Sequence, residues 1–207
     1  MFSDLKIIDF LDNLNSSAPT PGGGAVAALN GAEAAGLFSM VANVTNNKQL
    51  KNGQDPNRAL VKSVLMTAIH QTNLLKLMDA DASAFNSLMS CYKLPKSTDE
   101  EKQIRKDAIQ NACKNACEPP KQTLKICLEL MADARTTVAE GDKSVVSDAY
   151  IGSRLLVSAI HSSIYNLMIN INSIKDEEFC NQLRAIIDDA KAKISQFEKD
   201  VLDTCTL

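Results

Sequence analysis

Apolar residues recur at three- and four-residue steps along almost the whole chain, the spacing of one face of an α-helix. Leu5, Ile8, Leu11 and Leu14 predict a first helix over Asp4 to about Ser16. Ala18-Pro19-Thr20-Pro21-Gly22-Gly23-Gly24 is the one concentrated run of helix breakers. A second helix opens directly after it and runs to about Asn43, crowded with small residues from Ala25 to Gly36. Glycine costs about 1 kcal/mol relative to alanine inside a helix. Gly31 and Gly36 therefore predict close approach by another helix or by a ligand. Asp55-Pro56 reads as a cap followed by a first-turn proline. Neither Gly nor Pro follows before Tyr92, which predicts a third helix of roughly 55 Å.

Thr98 and Glu101 have capping-box spacing and open a helix to about Cys117. Pro119-Pro120 separates it from another that runs to about Ala139, and Gly141 marks the next break. Ser147 or Asp148 then caps a helix to about Ile174, and Asp176 starts a last one to about Asp203. No segment reads as a strand or as an interdomain linker. The expected fold class is all-α, a multihelical bundle of six long helices plus short pieces, in one domain over residues 1–207. A helix as long as the third is rarely needed in a compact domain, so it points to a bundle or an intertwined oligomer.

Composition narrows this picture. Aromatic residues are only 4% of the 207 and Trp is absent, which disfavours a sheet-based architecture. The formal net charge of −3 excludes a generally basic nucleic-acid binder, so an anion would need a local positive site. The six cysteines form no CxxC pair, the first residues lack a basic-then-apolar leader, and no apolar stretch nears the roughly 20 residues of a membrane span. These features lead us to expect a cytoplasmic protein with reduced thiols and with neither membrane nor nucleic-acid partners.

Three segments carry candidate chemistry. At Pro21-Gly22-Gly23-Gly24 the bared amides and the positive end of the following helix favour a carboxylate, a phosphate or a carbonyl-rich ring. The same segment also reads as a tight turn that needs positive φ. In Asp79-Ala80-Asp81-Ala82 the two carboxylates point to nearly opposite sides of one helix and cannot form a pair within a subunit. Asp81 falls in the stripe Leu74, Leu77, Met78, Phe85, Leu88, while Asp79 lies on a more polar strip near Lys76 and Ser83. A carboxyl on a buried stripe tends to a raised pKa, which suits a general acid; it also suits a buried Asp bonded to a neighbouring helix. Asn166 and Asn170 share a helix face, with Ser162 one turn before, and can line a polar pocket or pair between subunits. Lys48 is a candidate cation for an anionic tail, or a solvated surface lysine. His70 and His161 lack metal-ligand spacing, so no metal site is expected.

Taken in order, Thr20-Pro-Gly-Gly-Gly-Ala-Val-Ala-Ala28, Asp79-Ala-Asp-Ala-Ser-Ala-Phe85, Leu94 to Lys102, Ser147-Asp148 and Asn166 to Asn170 resemble the formiminotransferase-cyclodeaminase family, specifically its cyclodeaminase domain. The resemblance runs from about Leu5 to about Phe179. It implies an all-helical interlocked homodimer that acts on a tetrahydrofolate, often polyglutamylated, without metal or other cofactor. It places the catalytic aspartate on Asp81, the residue the stripe argument also selects. It puts substrate binding at Pro21, Gly22, Gly23, Gly24, Asp148, Asn166 and Asn170, with Lys48 and Phe85 as further candidates. The chain departs from the family pattern at Ala25, where Ser is usual, at Gly141-Asp142, where Gly-Asn is frequent, and at Glu33, where a small residue is usual. The implied activity is a formimidoyltetrahydrofolate cyclodeaminase. Its alternatives are a methenyltetrahydrofolate cyclohydrolase and a non-catalytic folate-binding helical dimer. With so few aromatics, candidates to stack on a pterin reduce to Phe38, Phe85, Tyr92, Tyr150 and Tyr165 among a handful.

Overall fold

The computed structural model describes residues 1–205 and is helical nearly throughout, with no strand among them. A 3-10 turn over Phe2–Asp4 leads into α1 (Ile7–Leu14), α2 (Gly23–Lys51), α3 (Arg58–Tyr92), α4 (Asp99–Asn115), α5 (Glu118–Glu140), α6 (Val146–Ile171) and α7 (Glu177–Phe197). A π turn over Glu198–Leu202 follows. The all-α expectation and its six long helices, α2 to α7, hold.

Helix ends show where local signals win and where they lose. Thr98 accepts from the Glu101 amide and Glu101 reaches back to the Thr98 amide, so the capping box forms as read. Asp176 caps α7 through the Phe179 amide. The prolines after Cys117 occupy the first turn of α5, where a missing N–H costs nothing. Three expectations need correction. Helix α3 starts at Arg58 under an Asn57 cap, not at Asp55-Pro56. Helix α6 starts at Val146 with no side-chain cap, so neither Ser147 nor Asp148 caps it. Helix α2 continues past Asn43 to Lys51, because Thr45 and Asn46 are buried and packing overrides their weak helix propensity.

Helix α2 is the hub, packed along its length against α3 and α6 and also against α5. Both long neighbours run antiparallel to it. Gly24 meets Asp81 near the far end of α3, while the Gln49 side chain accepts from the Asn57 amide at the near end. Gly23 faces Asn166 late in α6, and Phe38 faces Gly152 early in it. The small residues make this possible. A Cβ on Gly31 would lie 2.8 Å from the Cys127 sulfur of α5, too close for any real contact. Around this axis the core closes on Phe38, Leu74, Leu124, Leu130, Leu156 and Ile160, all fully buried. Each such side chain contributes about 1.5–3 kcal/mol of burial energy. By length and composition α2 could cross a membrane, with a mean hydropathy of 1.4 over its most apolar window, which corrects the expectation that no stretch approaches a span. Its position inside the bundle explains that apolarity without a bilayer.

Candidate active site at the start of α2

The first turn of α2 has no side-chain cap. Gly22 occupies the cap position with extended backbone, φ −134° and ψ −159°, so the glycines are not there for a positive φ. Among the described residues only Gly53 adopts one. Pro21 is buried and follows a cis peptide bond. What the glycines supply is space. A Cβ on Gly24 would overlap the Asp81 carboxyl outright, and one on Gly23 would stand 3.8 Å from the Asn166 side-chain oxygen.

Asp81 therefore sits against the positive end of α2, with the Ala25 N–H close enough to favour its charged form. Burial outweighs that influence and pushes the pKa above the ordinary carboxylate value. No salt bridge reaches Asp81 among the described residues. The deepest line on α3 passes through Leu74, Met78 and Ala82, so Asp81 lies on its flank, half-buried and reachable. Phe85, one turn further on the same face, is half-buried too. Asn166 donates to the Ser162 carbonyl of its own helix and leaves its side-chain oxygen towards Gly23.

Asp79 does a different job. Its carboxylate accepts from the Phe2 amide and the Ser3 hydroxyl, each at 2.5 Å, and so holds the N-terminal turn against α3. The two aspartates face different partners, as their spacing predicts.

Gly23, Gly24, Asp81 and Asn166 thus converge, with Gly22 and Pro21 immediately before them. Lys48, Asp148 and Asn170 do not join this cluster. Lys48 lies about 36 Å from Gly24 along α2 at 1.5 Å per residue, and its ammonium pairs with Asp142 at 2.6 Å. Asp148 lies in the first turn of α6, about 27 Å along that helix from Asn166. Asn170 donates to the Ala116 carbonyl and closes the end of α4. Among the aromatic candidates, Phe38 is sealed in the core, Tyr150 packs against it and Tyr92 lies under the Arg105 guanidinium. Tyr165, 67% exposed and next to Asn166, remains available, as does Phe85.

Sequence reasoning missed two features. The Ala25 amide lies beside Asp81, and Gly24 makes room for the carboxyl. The signal was the coincidence of a third glycine with a helix start, but only a fold shows which side chain fills the gap. No group of three or more His, Cys, Asp or Glu that could hold a metal ion occurs among the described residues.

A family model described as formiminotransferase-cyclodeaminase matches residues 6–189. A methenyltetrahydrofolate cyclohydrolase of Methylorubrum extorquens is 34% identical over 99% of this chain and 97% of its own. A formimidoyltransferase-cyclodeaminase of Gallus gallus is 32% identical over 82% of this chain, which spans only 31% of that longer protein. The crystal structure of formiminotetrahydrofolate cyclodeaminase from Thermotoga maritima superposes with a TM-score of 0.80 and 25% identity, covering 96% of this chain and 94% of that one.

Proposed function

The chain belongs to the formiminotransferase-cyclodeaminase family, and on that premise we propose that it is a formimidoyltetrahydrofolate cyclodeaminase with Asp81 as its general acid. The observation that carries this reading is the Asp81 carboxyl, held at the glycine start of α2 with its pKa raised by burial. In this reaction folate nitrogen 10 attacks the formimidoyl carbon on nitrogen 5 and its proton passes to the imine nitrogen, giving a tetrahedral aminal that carries an amino group. The C–N bond to the former imine nitrogen must then break. An amide anion cannot leave, so Asp81 gives its proton to that nitrogen and ammonia departs. The nitrogen lone pairs close the methenyl bridge, and the carboxylate regains a proton from solvent. Burial that favours the protonated carboxyl suits this order of events. The reading calls for no metal or further cofactor.

The first-turn amides of α2 and the side-chain oxygen of Asn166 would meet polar edges of a folate beside Asp81, with Phe85 as an aromatic face. A second reading, the cyclohydrolase, is favoured by the relative that matches over nearly its whole length. There water adds to the methenyl carbon and the ring opens to 10-formyltetrahydrofolate, so the carboxylate must first act as a base. Ammonia released from 5-formimidoyltetrahydrofolate supports the first reading. Loss of methenyl absorbance without that ammonia supports the second. Binding of folate with neither signal would leave a non-catalytic helical binder.

The proposal includes a homodimer. Apolar side chains stand exposed on α1 (Ile7, Ile8), on α3 (Leu65, Ile69) and on α6 (Tyr165, Ile169), and a second copy would cover them. Such a copy is also the way for Lys48 or Asp148 to approach the Asp81 cluster, and with it a polyglutamate tail. A single-chain mass in solution at micromolar concentration would contradict this part of the reading.

A further inference from the structure

Asp79 stands two residues before Asp81, which turns its side chain about 200° away around α3. It cannot share the surroundings of the Asp81 carboxyl directly. Its own carboxylate takes the Phe2 amide and the Ser3 hydroxyl, and these anchor the start of an arm, residues 2–14, that ends with α1. The arm rests lightly on the bundle. Phe10 is the one buried residue of α1, while Ile7, Ile8 and Leu11 are exposed. A cavity of about 430 Å³ lies under the arm, between Phe2, Phe10 and Leu11 on one side and Leu29, Leu75 and Met78 on the other. An arm that spans a cavity is placed by its anchors and by little else.

The two anchors meet each other. The Phe2 ring stands edge-on to the Phe10 ring, with centroids 6.5 Å apart and planes at 77°. Phe10 in turn packs with Ala25, Ala28 and Met78 in a small buried cluster of their own. Ala25 is fully covered, and its amide lies beside the Asp81 carboxyl. Met78 comes one turn before Asp81 on α3. Ala25 and Met78 therefore stand between the arm and the acid, one from each of the helices that enclose it.

We infer that Asp79 is a positioning residue for Asp81: it fixes the N-terminal arm, and the arm wedges Phe10 against the glycine start of α2, which keeps the Asp81 carboxyl enclosed. The effect on turnover rests on Asp81 being the acid proposed above; the effect on the enclosure does not. Only hydrogen bonding is asked of Asp79. An asparagine in its place can accept from the Phe2 amide and donate to the Ser3 oxygen, whereas an alanine can do neither.

Kinetics and carboxyl carbon-13 NMR on the full chain test this, with the Asp81 signal assigned through Asp81→Asn. Asp79→Ala, folded by circular dichroism, should lower kcat on 5-formimidoyl- or 5,10-methenyltetrahydrofolate by about 10–100-fold, the cost of a slight misplacement of reacting groups. Asp79→Asn should restore it to within about threefold of the parent. Phe10→Ala should match Asp79→Ala, and the double variant should be no worse than the poorer single one, since both act through one arm. Ser3→Ala, which removes one bond of the two, should lose less, and with Phe10→Ala it carries the test if Asp79→Ala does not fold. The Asp81 carboxyl should titrate lower in Asp79→Ala, because burial is the larger influence on it, and as in the parent in Asp79→Asn. Parental kcat and parental Asp81 titration in Asp79→Ala would overturn the inference. So would an Asp79→Asn as damaged as Asp79→Ala, or losses that multiply in the double variant. Parental turnover in Asp81→Asn would end the acid reading alone, and the Asp81 titration across the Asp79 variants would still decide the role of Asp79.

Discussion

The two ends of α2 each hold an aspartate, and the fold treats them in opposite ways. At the end of the helix Asp142 accepts from Lys48 and from the Ser144 hydroxyl and amide, and these donors hold its carboxyl well below the usual range. Its own amide donates to Thr45, so the loop before α6 is tied to α2 from both directions. At the start of the helix Asp81 has an amide of the first turn beside it, no ion pair among the described residues, and a pKa pushed up by burial. Both lie beside the same rod of small residues. One is satisfied and fixes a loop; the other is left short of partners where a substrate could supply them. Retained bonding capacity, more than charge, separates the site from the scaffold.

The hardest way to break this contrast is to remove the Asp81 proton donor. Asp81→Asn keeps the shape and should lower turnover by about 10²–10⁴-fold, with the helical circular dichroism unchanged. Near-parental ammonia release or methenyl turnover in that variant would end the role given to Asp81. Gly24→Ala comes next. It forces the carboxyl off the helix start and adds overpacking that costs about 1–3 kcal/mol. Gly31→Ala presses on Cys127 instead and should cost a similar amount of stability. The two should therefore lower Tm alike, by about 2–4 °C per kcal/mol for a chain of this size. Only Gly24→Ala should also lower kcat strongly; equal kcat in the two would sever the glycine from the acid.

A subtler test uses pH. Asp81 has a raised folded pKa, so its ionisation opposes folding. The parent should lose Tm relative to Asp81→Asn as pH rises from about 4, the unfolded value, through that raised pKa. Asp142 has a depressed folded pKa, so its contribution is present above about pH 4 and is lost as pH falls towards the folded value. Melting curves from acid to neutral pH on the parent, Asp81→Asn and Asp142→Asn should therefore diverge in opposite directions. The smallest effect is expected from Lys48→Ala, since its side chain is 56% exposed. It should lower Tm slightly, less so in high salt. Its effect on the affinity for a polyglutamylated folate, against the monoglutamate form, tests the dimeric arrangement proposed above.

Most of the fold could be read from spacing, because amphipathic periods and punctuating residues are local signals. Thr98 with Glu101, Asp176, and Pro119-Pro120 each act within one helical turn of themselves, and each does what its neighbours predict. Asp81 was legible for a related reason: the apolar stripe passes beside it on the same helix. Helix α2 outran its expected end because Thr45 and Asn46 are covered by segments distant in sequence. Lys48 and Asn170 looked like free polar groups for the same reason. Their partners, Asp142 and the Ala116 carbonyl, are brought to them only by tertiary packing. Convergence of Gly23, Gly24 and Asn166 on Asp81 needs the antiparallel order of three helices, which no single segment encodes.

The close approach of Gly31 to Cys127 has a practical consequence. Burial raises the Cys127 and Cys117 thiols to about 12, and Cys205 by contrast is exposed. A thiol-specific reagent at neutral pH should therefore modify Cys205 within the first moments of exposure. Cys127 should react only when α2 and α5 separate. The chain thus carries its own stopwatch, in which the slow phase of alkylation counts openings of the bundle and the fast phase counts molecules.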